Sequence, residues 1–481
     1  MYQAVIMVVQ KEKNDMKKYN FLIVLIMLFL LSGCTKVKIG PEFSQLQKRT
    51  ANSTASSIVL DNEVYHDIQD IRSIKNIVSN GISKNEAVKI ALQNNPGLQA
   101  DFQNLGIAKA DLAQAGLYSN PSINSVFRLP TRDDGPGTSQ TNIESVAALR
   151  LSDLWQVPLA KNVAQDLVEI VSLRIFSTIL TVVEETKIAY DTCFATELYV
   201  ENTKNLLTTT KDLRDEIYYR QLYGYTTDLD KNFIDAKVGM LESELKQQEA
   251  DLANAYTHLK TLMGLSPSST AIILTDTLYK KMLIPEFIIL ENYALAQRPE
   301  IQIAIMKIKQ YKDTIRSEKS KIFRKIDIGV SYKQDFEKSF AGWGPYFDIS
   351  LPIFDDNYAQ IARAEFLFKQ AEQELVAQRI KILDELNKPY ANFKALEKEI
   401  DWYKNNILPS HFKAIEYAYK HAETMQITMA TALESKVTFY ETYSQFIEKN
   451  YHAVKEFTRL ERAVGKSFEL FFMNEIGEQQ C

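Results

Sequence analysis

The tetrapeptide Leu31-Ser32-Gly33-Cys34 is where this chain is best equipped for covalent chemistry. Small residues ahead of a cysteine resemble the bacterial lipobox, in which the cysteine takes a diacylglyceride and a fatty acid and the chain is cut before it. Two or more acyl chains hold a protein at a membrane stably where one does not. The preceding segment suits this reading: Lys17 and Lys18 lead into an apolar run of 11 residues, Phe21 to Leu31. That run is too short to span a bilayer, which takes roughly 20 residues, but right for the h-region of a signal peptide. Residues 1–33 therefore read as a lipoprotein signal peptide, with Met16 as an alternative start, and Cys34 as the lipidation site. An ordinary cleaved signal that happens to end beside a cysteine is the other reading. Thr35 stands where lipoproteins retained at the inner membrane typically carry Asp, which points to export to the outer membrane.

Little else in the chain is arranged for chemistry. His421, Met425 and Met429 are spaced by four and would align three soft ligands on one continuous helix. A turn is expected between Met425 and Thr428, however, so no metal site is assigned. His66, His258, His411 and His452 are scattered, with no His-x-x-x-His or Cys-x-x-Cys pair. There is no glycine-rich phosphate loop, no Gly-x-Ser-x-Gly and no convincing acid pair. The chain is thus expected to be no enzyme and to carry no cofactor beyond a covalent lipid at Cys34. Cys193 and Cys481 form no disulfide framework of the small secreted kind, and Cys193 reads as a small buried apolar residue. With 56 Lys and Arg against 61 Asp and Glu, and no basic stripe interleaved with aromatics, nucleic acid is not an expected partner.

What must be positioned is therefore a framework. Among 481 residues, one phrase occurs twice: Ala91-Leu92-Gln93-Asn94-Asn95-Pro96-Gly97-Leu98-Gln99 and Ala294-Leu295-Ala296-Gln297-Arg298-Pro299-Glu300-Ile301-Gln302. The same patterns follow each copy: a helix, two short alternating strands, then two long helices joined by a tight turn. Residues 34–82 read as an extended N-terminal arm with little structure of its own. Residues 83–265 form a first repeat, 266–292 an equatorial linker or belt, 293–466 a second repeat and 467–481 a tail. Ser83 reads as a helix start and Pro96 as a break. Only 16 Gly and 13 Pro are present, which suits long uninterrupted helices.

Alternation places strands at about 122–130 and 142–152, and again at about 326–334 and 346–352. Ile326, Ile328, Val330 and Tyr332 alternate with Asp327, Gly329, Ser331 and Lys333, so aliphatics share one face and charges the other. A barrel facing lipid outward and water inward would show this, and so would a half-buried soluble sheet. Asp133-Asp134-Gly135-Pro136-Gly137 and Gly342-Trp343-Gly344-Pro345 read as exposed hairpin connections. Four strands cannot close a barrel, and open edges are not tolerated in lipid, so the membrane reading calls for three copies and twelve strands.

Long helices are expected at about 158–222 and 227–263, then at about 358–422 and 428–464, with kinks at Pro389 and Pro409. Val238, Leu241, Leu245, Gln248, Leu252, Ala255, Leu259 and Leu262 keep a 3-4 spacing throughout, the heptad stripe of a left-handed coiled coil. Met263-Gly264-Leu265-Ser266-Pro267 ends that helix.

These residues carry a family resemblance. The chain resembles the TolC-like outer membrane efflux factors, most closely their lipid-anchored branch, which pairs with resistance-nodulation-division pumps. The matches are the two repeated phrases, Ala115-Gly116-Leu117-Tyr118-Ser119-Asn120-Pro121-Ser122, Leu262-Met263-Gly264-Leu265, Ile349-Ser350-Leu351-Pro352-Ile353-Phe354-Asp355, and Gly40-Pro41-Glu42-Phe43 soon after Cys34. Together and in order they span about residues 34–466. The resemblance implies a mainly α protein with membrane β: a homotrimeric twelve-stranded outer-membrane barrel continued by a twelve-helix α-barrel through the periplasm. It implies a passive exit duct of a tripartite efflux or type I secretion system, docked to a periplasmic adaptor and an inner-membrane pump. The competing expectation is a non-conducting coiled-coil envelope lipoprotein, a scaffold or adhesin.

The resemblance also implies site residues. Adaptor-docking tips fall on Tyr223, Gly224, Tyr225, Thr226 and Thr227, and on Met425, Gln426, Ile427 and Thr428. Met425 replaces the usual Gly, which leaves the shape of the second turn open. Acidic residues one turn past the tips match at Asp230 and Glu434, the candidate ring of a periplasmic gate. A second acidic position falls on Thr431 and a gate arginine on Ile427, so the charged latch is partial. Like charges crowded at a narrow mouth would titrate above their free values; the alternative is that Asp230 and Glu434 are solvated helix-start carboxylates.

Overall fold

Fifteen residues expected to lie in a structureless arm form a helix instead. In the computed structural model, which describes residues 40–54, 81–129, 142–268, 272–277, 282–336 and 340–472, helix α1 spans Gly40–Thr54. Leu46, Thr50 and Thr54 recur at helical spacing and are buried. Each threonine hydroxyl donates to the carbonyl four residues back, at 2.9 Å in both cases. Polar composition hid the helix because its inward face is largely threonine. Cys34 and the signal segment lie outside the described residues.

Helices α2 (Lys84–Asn94) and α3 (Pro96–Ala115) are divided at Asn95-Pro96. Ser83 caps α2 in a reciprocal box with Glu86, and Pro96 opens α3 where its missing N–H costs nothing. Strands β1 (Ser122–Arg128) and β2 (Asn142–Arg150) follow, then α4 (Asp153–Leu222). At 70 residues, α4 is roughly 105 Å long. Helix α5 (Asp228–Leu262) returns along it, and its heptad stripe is the buried or half-buried face throughout.

The second half runs α6 (Phe287–Gln297), α7 (Pro299–Ser320), β3 (Ile326–Asp335), β4 (Phe340–Ile349) and α8 (Tyr358–Trp402). A π-helical segment, Tyr403–Ile407, joins α8 to α9 (Leu408–Glu423), and α10 (Met429–Val464) returns. The π segment sits immediately ahead of Pro409 and makes room for the ring that would clash with a carbonyl one turn back. Pro389 lies inside a continuous α8. The segment expected as linker to residue 292 gives way to α6 at Phe287, and the expected tail is core at its start, with Phe468 and Phe471 packed on Leu290, Leu386 and Leu460.

Two helix pairs are spliced end to end against α4. Two residues past the end of α5, Gly264 turns the chain away with a φ of 68°; a Cβ there would lie 2.2 Å from the Asn94 carbonyl oxygen. Asn95 Nδ2 donates to the Leu262 carbonyl at 3.0 Å. Helix α3 therefore begins where α5 stops and runs on toward the sheet, tied there by Ser119 N donating to Asp153 Oδ2 at 2.6 Å. Helix α10 ends likewise at Gly465, φ 83°, beside Arg298, and α7 begins at Pro299. Each chain thus presents four columns: α4, α5–α3, α8–α9 and α10–α7. Both copies of the repeated phrase lie at the splices.

The sheet is antiparallel in the order β1-β2-β3-β4, with β1 and β4 at its edges. Strand β4 starts at Phe340, so Gly342-Trp343-Gly344-Pro345 is paired strand, corrected from a loop. Trp343 lies opposite Tyr332 with ring centroids 5.1 Å apart. Pro345 is accommodated because an edge strand need not donate on both sides.

Candidate conduit wall and tip turns

Register divides the sheet into two chemically distinct faces. Ile123, Ala147, Val330 and Pro345 form one cross-strand row, and Leu149, Ile328 and Phe347 another on the same face. Ile123, Leu149, Val330 and Phe347 are exposed. The opposite face is polar and internally paired. Arg128 Nη1 lies 3.4 Å from Glu144 Oε2, and Arg150 Nε 3.7 Å from Asp327 Oδ1. Lys325 Nζ bridges Asp327 and Asp348 at 3.1 Å and 2.5 Å. Such pairs hold charge on this face while leaving its local sum near zero.

At the other end of α4 both tip turns sit together. Leu206 and Leu213 of α4, Ile234 and Val238 of α5, and Leu433 and Val437 of α10 share one core. Lys237 of α5 pairs with Glu441 of α10 at 2.7 Å. In the first turn, Gly224 has φ 77° and Tyr225 N donates to the Arg220 carbonyl at 2.8 Å. In the second, Met425 has φ 59° and Gln426 N donates to the His421 carbonyl at 2.9 Å. The two turns have one shape, and Met425 adopts the left-handed conformation that Gly adopts freely. Tyr223, Tyr225 and Met425 are exposed, and Ile427 is partly covered. Helix α9 ends at Glu423 and α10 begins at Met429, so His421, Met425 and Met429 do not share a helix. Among the described residues no cluster of three or more ligating side chains could hold a metal.

The acidic candidates occupy different places: Asp230 lies three residues past its helix cap, Thr227, and Glu434 six past Thr428. Thr227 caps α5 reciprocally with Asp230: Asp230 Oδ2 accepts from Thr227 N at 2.9 Å and from its hydroxyl at 2.8 Å. Within one chain these bonds hold the Asp230 carboxyl below the usual carboxylate range. Thr428 caps α10 by accepting from Thr431 N at 3.2 Å, with Thr431 in the place of an acid. Glu434 is exposed in the second turn of α10.

Solved structures share this architecture. A membrane protein from Pseudomonas aeruginosa superposes with a TM-score of 0.67 at 18% identity, over 79% of this chain and 93% of that one. CusC, whose structures describe folding and transmembrane channel formation, gives 0.66 at 15% identity, over 80% and 92%. The Campylobacter jejuni outer membrane channel CmeC gives 0.65 at 14%, over 85% and 90%. The chain has the TolC-like channel fold. No protein-family model and no curated sequence matches it. Among the described residues of this TolC-like chain, no helix is long and apolar enough to cross a membrane.

Sequence reasoning missed the polar clamp at the α10–α7 splice. Glu300 Oε2 accepts from Arg298 Nε at 2.9 Å, and its Oε1 accepts from Arg462 Nη2 at 2.8 Å and from the Ser177 hydroxyl at 2.7 Å. Arg298 Nη1 also reaches Glu385 at 2.6 Å. Although burial opposes ionisation, the two guanidiniums hold the Glu300 carboxyl down to about 2. A signal was present: the phrase's second copy carries Arg and Glu on either side of its proline, where the first carries Asn and Gly.

Proposed function

We propose that three copies of this chain close a twelve-stranded β-barrel in an outer membrane and continue it as a twelve-column helical barrel. The assembly is a passive exit duct of a tripartite efflux or type I secretion system. The observation that carries this is the sheet: four strands with an exposed apolar face, an ion-paired polar face and two edges that have no partner strand among the described residues. In lipid each unpaired backbone group costs several kcal/mol, so β1 and β4 must pair with neighbouring copies. Three copies of four strands give an even count within the range of membrane barrels. The four columns per chain then give twelve around the same axis. Lipid at Cys34 anchors the assembly to the outer membrane, and the segment from 266 to the start of α6 forms a belt at the splices.

The tips, Tyr223–Thr227 and Met425–Thr428, receive a periplasmic adaptor, and an inner-membrane pump supplies the energy. Asp230 and Glu434 line the mouth between them, where fixed carboxylates favour cations and repel anions. The test is heat-modifiable, trimer-sized migration of the detergent-extracted protein, followed by planar-bilayer recording. Trimers that conduct support the duct. A monomer without conductance rejects it in favour of a coiled-coil scaffold or adhesin. Labelling with radioactive palmitate, lost in Cys34→Ser, tests the anchor separately.

A further inference from the structure

We propose that the turn from β4 into α8, together with the first turn of α4, is an interfacial lipid collar, with Phe354 seated at the boundary between phospholipid headgroups and acyl chains. The collar lies outside the strands, and it rests on the sheet itself standing in lipid. Phe354 is 99% exposed, more than any other large apolar side chain among the described residues. Slack does not explain this, because the turn is pinned at both ends. Ser350 N donates to the Lys325 carbonyl at 3.1 Å, and Ile353 N to the Leu351 carbonyl at 2.9 Å. At the other end Asn357, buried at φ 66°, donates through Nδ2 to the carbonyl and to the carboxylate of Glu318, both at 2.9 Å. A held turn that presents a bare phenyl ring beside other exposed apolar groups marks a contact surface.

The height of the sheet identifies the partner. On its apolar face Tyr332 and Trp343 form an aromatic row toward the β3–β4 hairpin, the station such rings take at a membrane boundary. From Tyr332 back to Ile326 is six residues of β3, or about 20 Å of strand, and a barrel tilt of about 40° leaves roughly 15 Å of height. Membrane barrels carry an apolar band about 25 Å tall, so the strands alone fall about 10 Å short. The missing height lies on the collar: exposure continues past Phe347 and Ile349 to Leu351 and Ile353, and past β2 to Leu154. Trp155, whose Nε1 donates to the Ser320 carbonyl at 3.4 Å, and the exposed Tyr358 supply amphipathic rings there. Immediately beyond Phe354 the surface turns polar, with Asp355 paired to Arg324 at 2.7 Å. Irregular backbone is not tolerated in hydrocarbon, so the turn occupies the interfacial layer, where water still reaches its N–H and C=O groups. A neighbouring copy does not serve as cover for the whole collar: Leu154 and Trp155 follow β2, an interior strand, whereas copies would pair at β1 and β4.

The test is depth-dependent fluorescence quenching of full-length protein in phosphatidylcholine vesicles brominated either near the headgroup end of the acyl chain or near its terminal methyl. Trp155, Trp343 and Trp402 are replaced by Phe, and Phe354→Trp or Val330→Trp then supplies the single fluorophore. Phe354→Trp should lose more emission to the shallow bromines than to the deep ones, and Val330→Trp the reverse. If Val330→Trp is quenched and Phe354→Trp is not, the sheet is in lipid but the collar lies in water or beneath another copy, and the proposal is overturned. If neither is quenched, the barrel reading fails and takes the collar with it. Should the tryptophan-free background fail to assemble, protein retaining Trp155 alone reads the same boundary. Stronger quenching of Trp155 by deep bromines than by shallow ones, or none by either, overturns the proposal equally.

Discussion

Met425 is the residue most at odds with its backbone. Its φ of 59° and the bonds around it reproduce the turn built on Gly224, yet it has a Cβ, and left-handed geometry costs an L-residue roughly 1–2 kcal/mol. Exposure of 93% means that no packing offsets this. Met425→Gly should therefore firm the second tip, by up to about 1 kcal/mol once the extra freedom of unfolded Gly is discounted. Slower amide exchange at Gln426 and Ile427 would register it. Gly224→Ala should speed exchange at Tyr225 by the same reasoning. Faster exchange in Met425→Gly would show that Met425 is stabilised by contacts and not strained.

Tyr190 makes a complementary case, because one hydroxyl organises three strands of chain. It donates to the Ile82 carbonyl at 2.8 Å and accepts from Thr275 N at 3.1 Å and Asp276 N at 3.2 Å. Ile82 and Leu274 pair as a short parallel bridge beside it. Thr275 N also donates to the Ile82 carbonyl at 3.1 Å, so Tyr190→Phe removes the bond of Asp276 N and weakens the others, at a cost of roughly 0.5–1.5 kcal/mol. Exchange should rise at Thr275 and Asp276 while α4 stays protected. Uniform loosening of α4 would mean that the ring, not the hydroxyl, is what matters there.

At the scale of elements, the splices decide how short helices act as long ones. A gap between α10 and α7 is bridged by Glu300 between Arg298 and Arg462. Because the Glu300 carboxyl falls from 4.5 to about 2 on folding, it stabilises the protein above pH 4.5 and that contribution is lost as pH falls toward 2. The shift is worth on the order of 3 kcal/mol. Unfolding followed against pH should show wild type losing this increment through the window, with Glu300→Gln flat across it and less stable above. Parallel curves would place the stability elsewhere.

Elements with strict periodicity were legible in advance: β3 by its two-residue alternation, α5 by its heptad stripe, the α2–α3 break by Pro96. What escaped had no periodic signature. Helix α1 buries threonines, which read as polar. The Gly342–Pro345 stretch has turn composition but is held in register by Tyr332 and Trp343. The Arg462–Glu300 pair joins residues 162 apart, and the Asp166–Lys309 pair residues 143 apart. The repeated phrase was visible, but its work as a splice depends on Gly264 and Gly465, which only the folded chain brings to it. A local rule favours Gly at the Met425 turn; the backbone and capping bonds on both sides override that rule.

For the whole molecule, the apolar face of the sheet is the surface that demands an environment. A soluble scaffold would tolerate a charge there, and a lipid-facing wall would not. Val330 is half exposed on that face, between Ala147 and Pro345 on the neighbouring strands. An arginine near the bilayer midplane costs about 2–4 kcal/mol on the lipid side and little on the water side. Paid once per chain, the cost would act three times on one barrel. Val330→Arg should therefore reduce the heat-modifiable trimer recovered from outer membranes by at least tenfold, a factor that about 1.4 kcal/mol already produces. Asn124→Arg, on the opposite face of β1, should assemble like the wild type. If Val330→Arg assembles normally, or Asn124→Arg is the variant that fails, the faces are assigned the wrong way round or the sheet never enters lipid. Either result would remove the reason for three chains to share one cylinder.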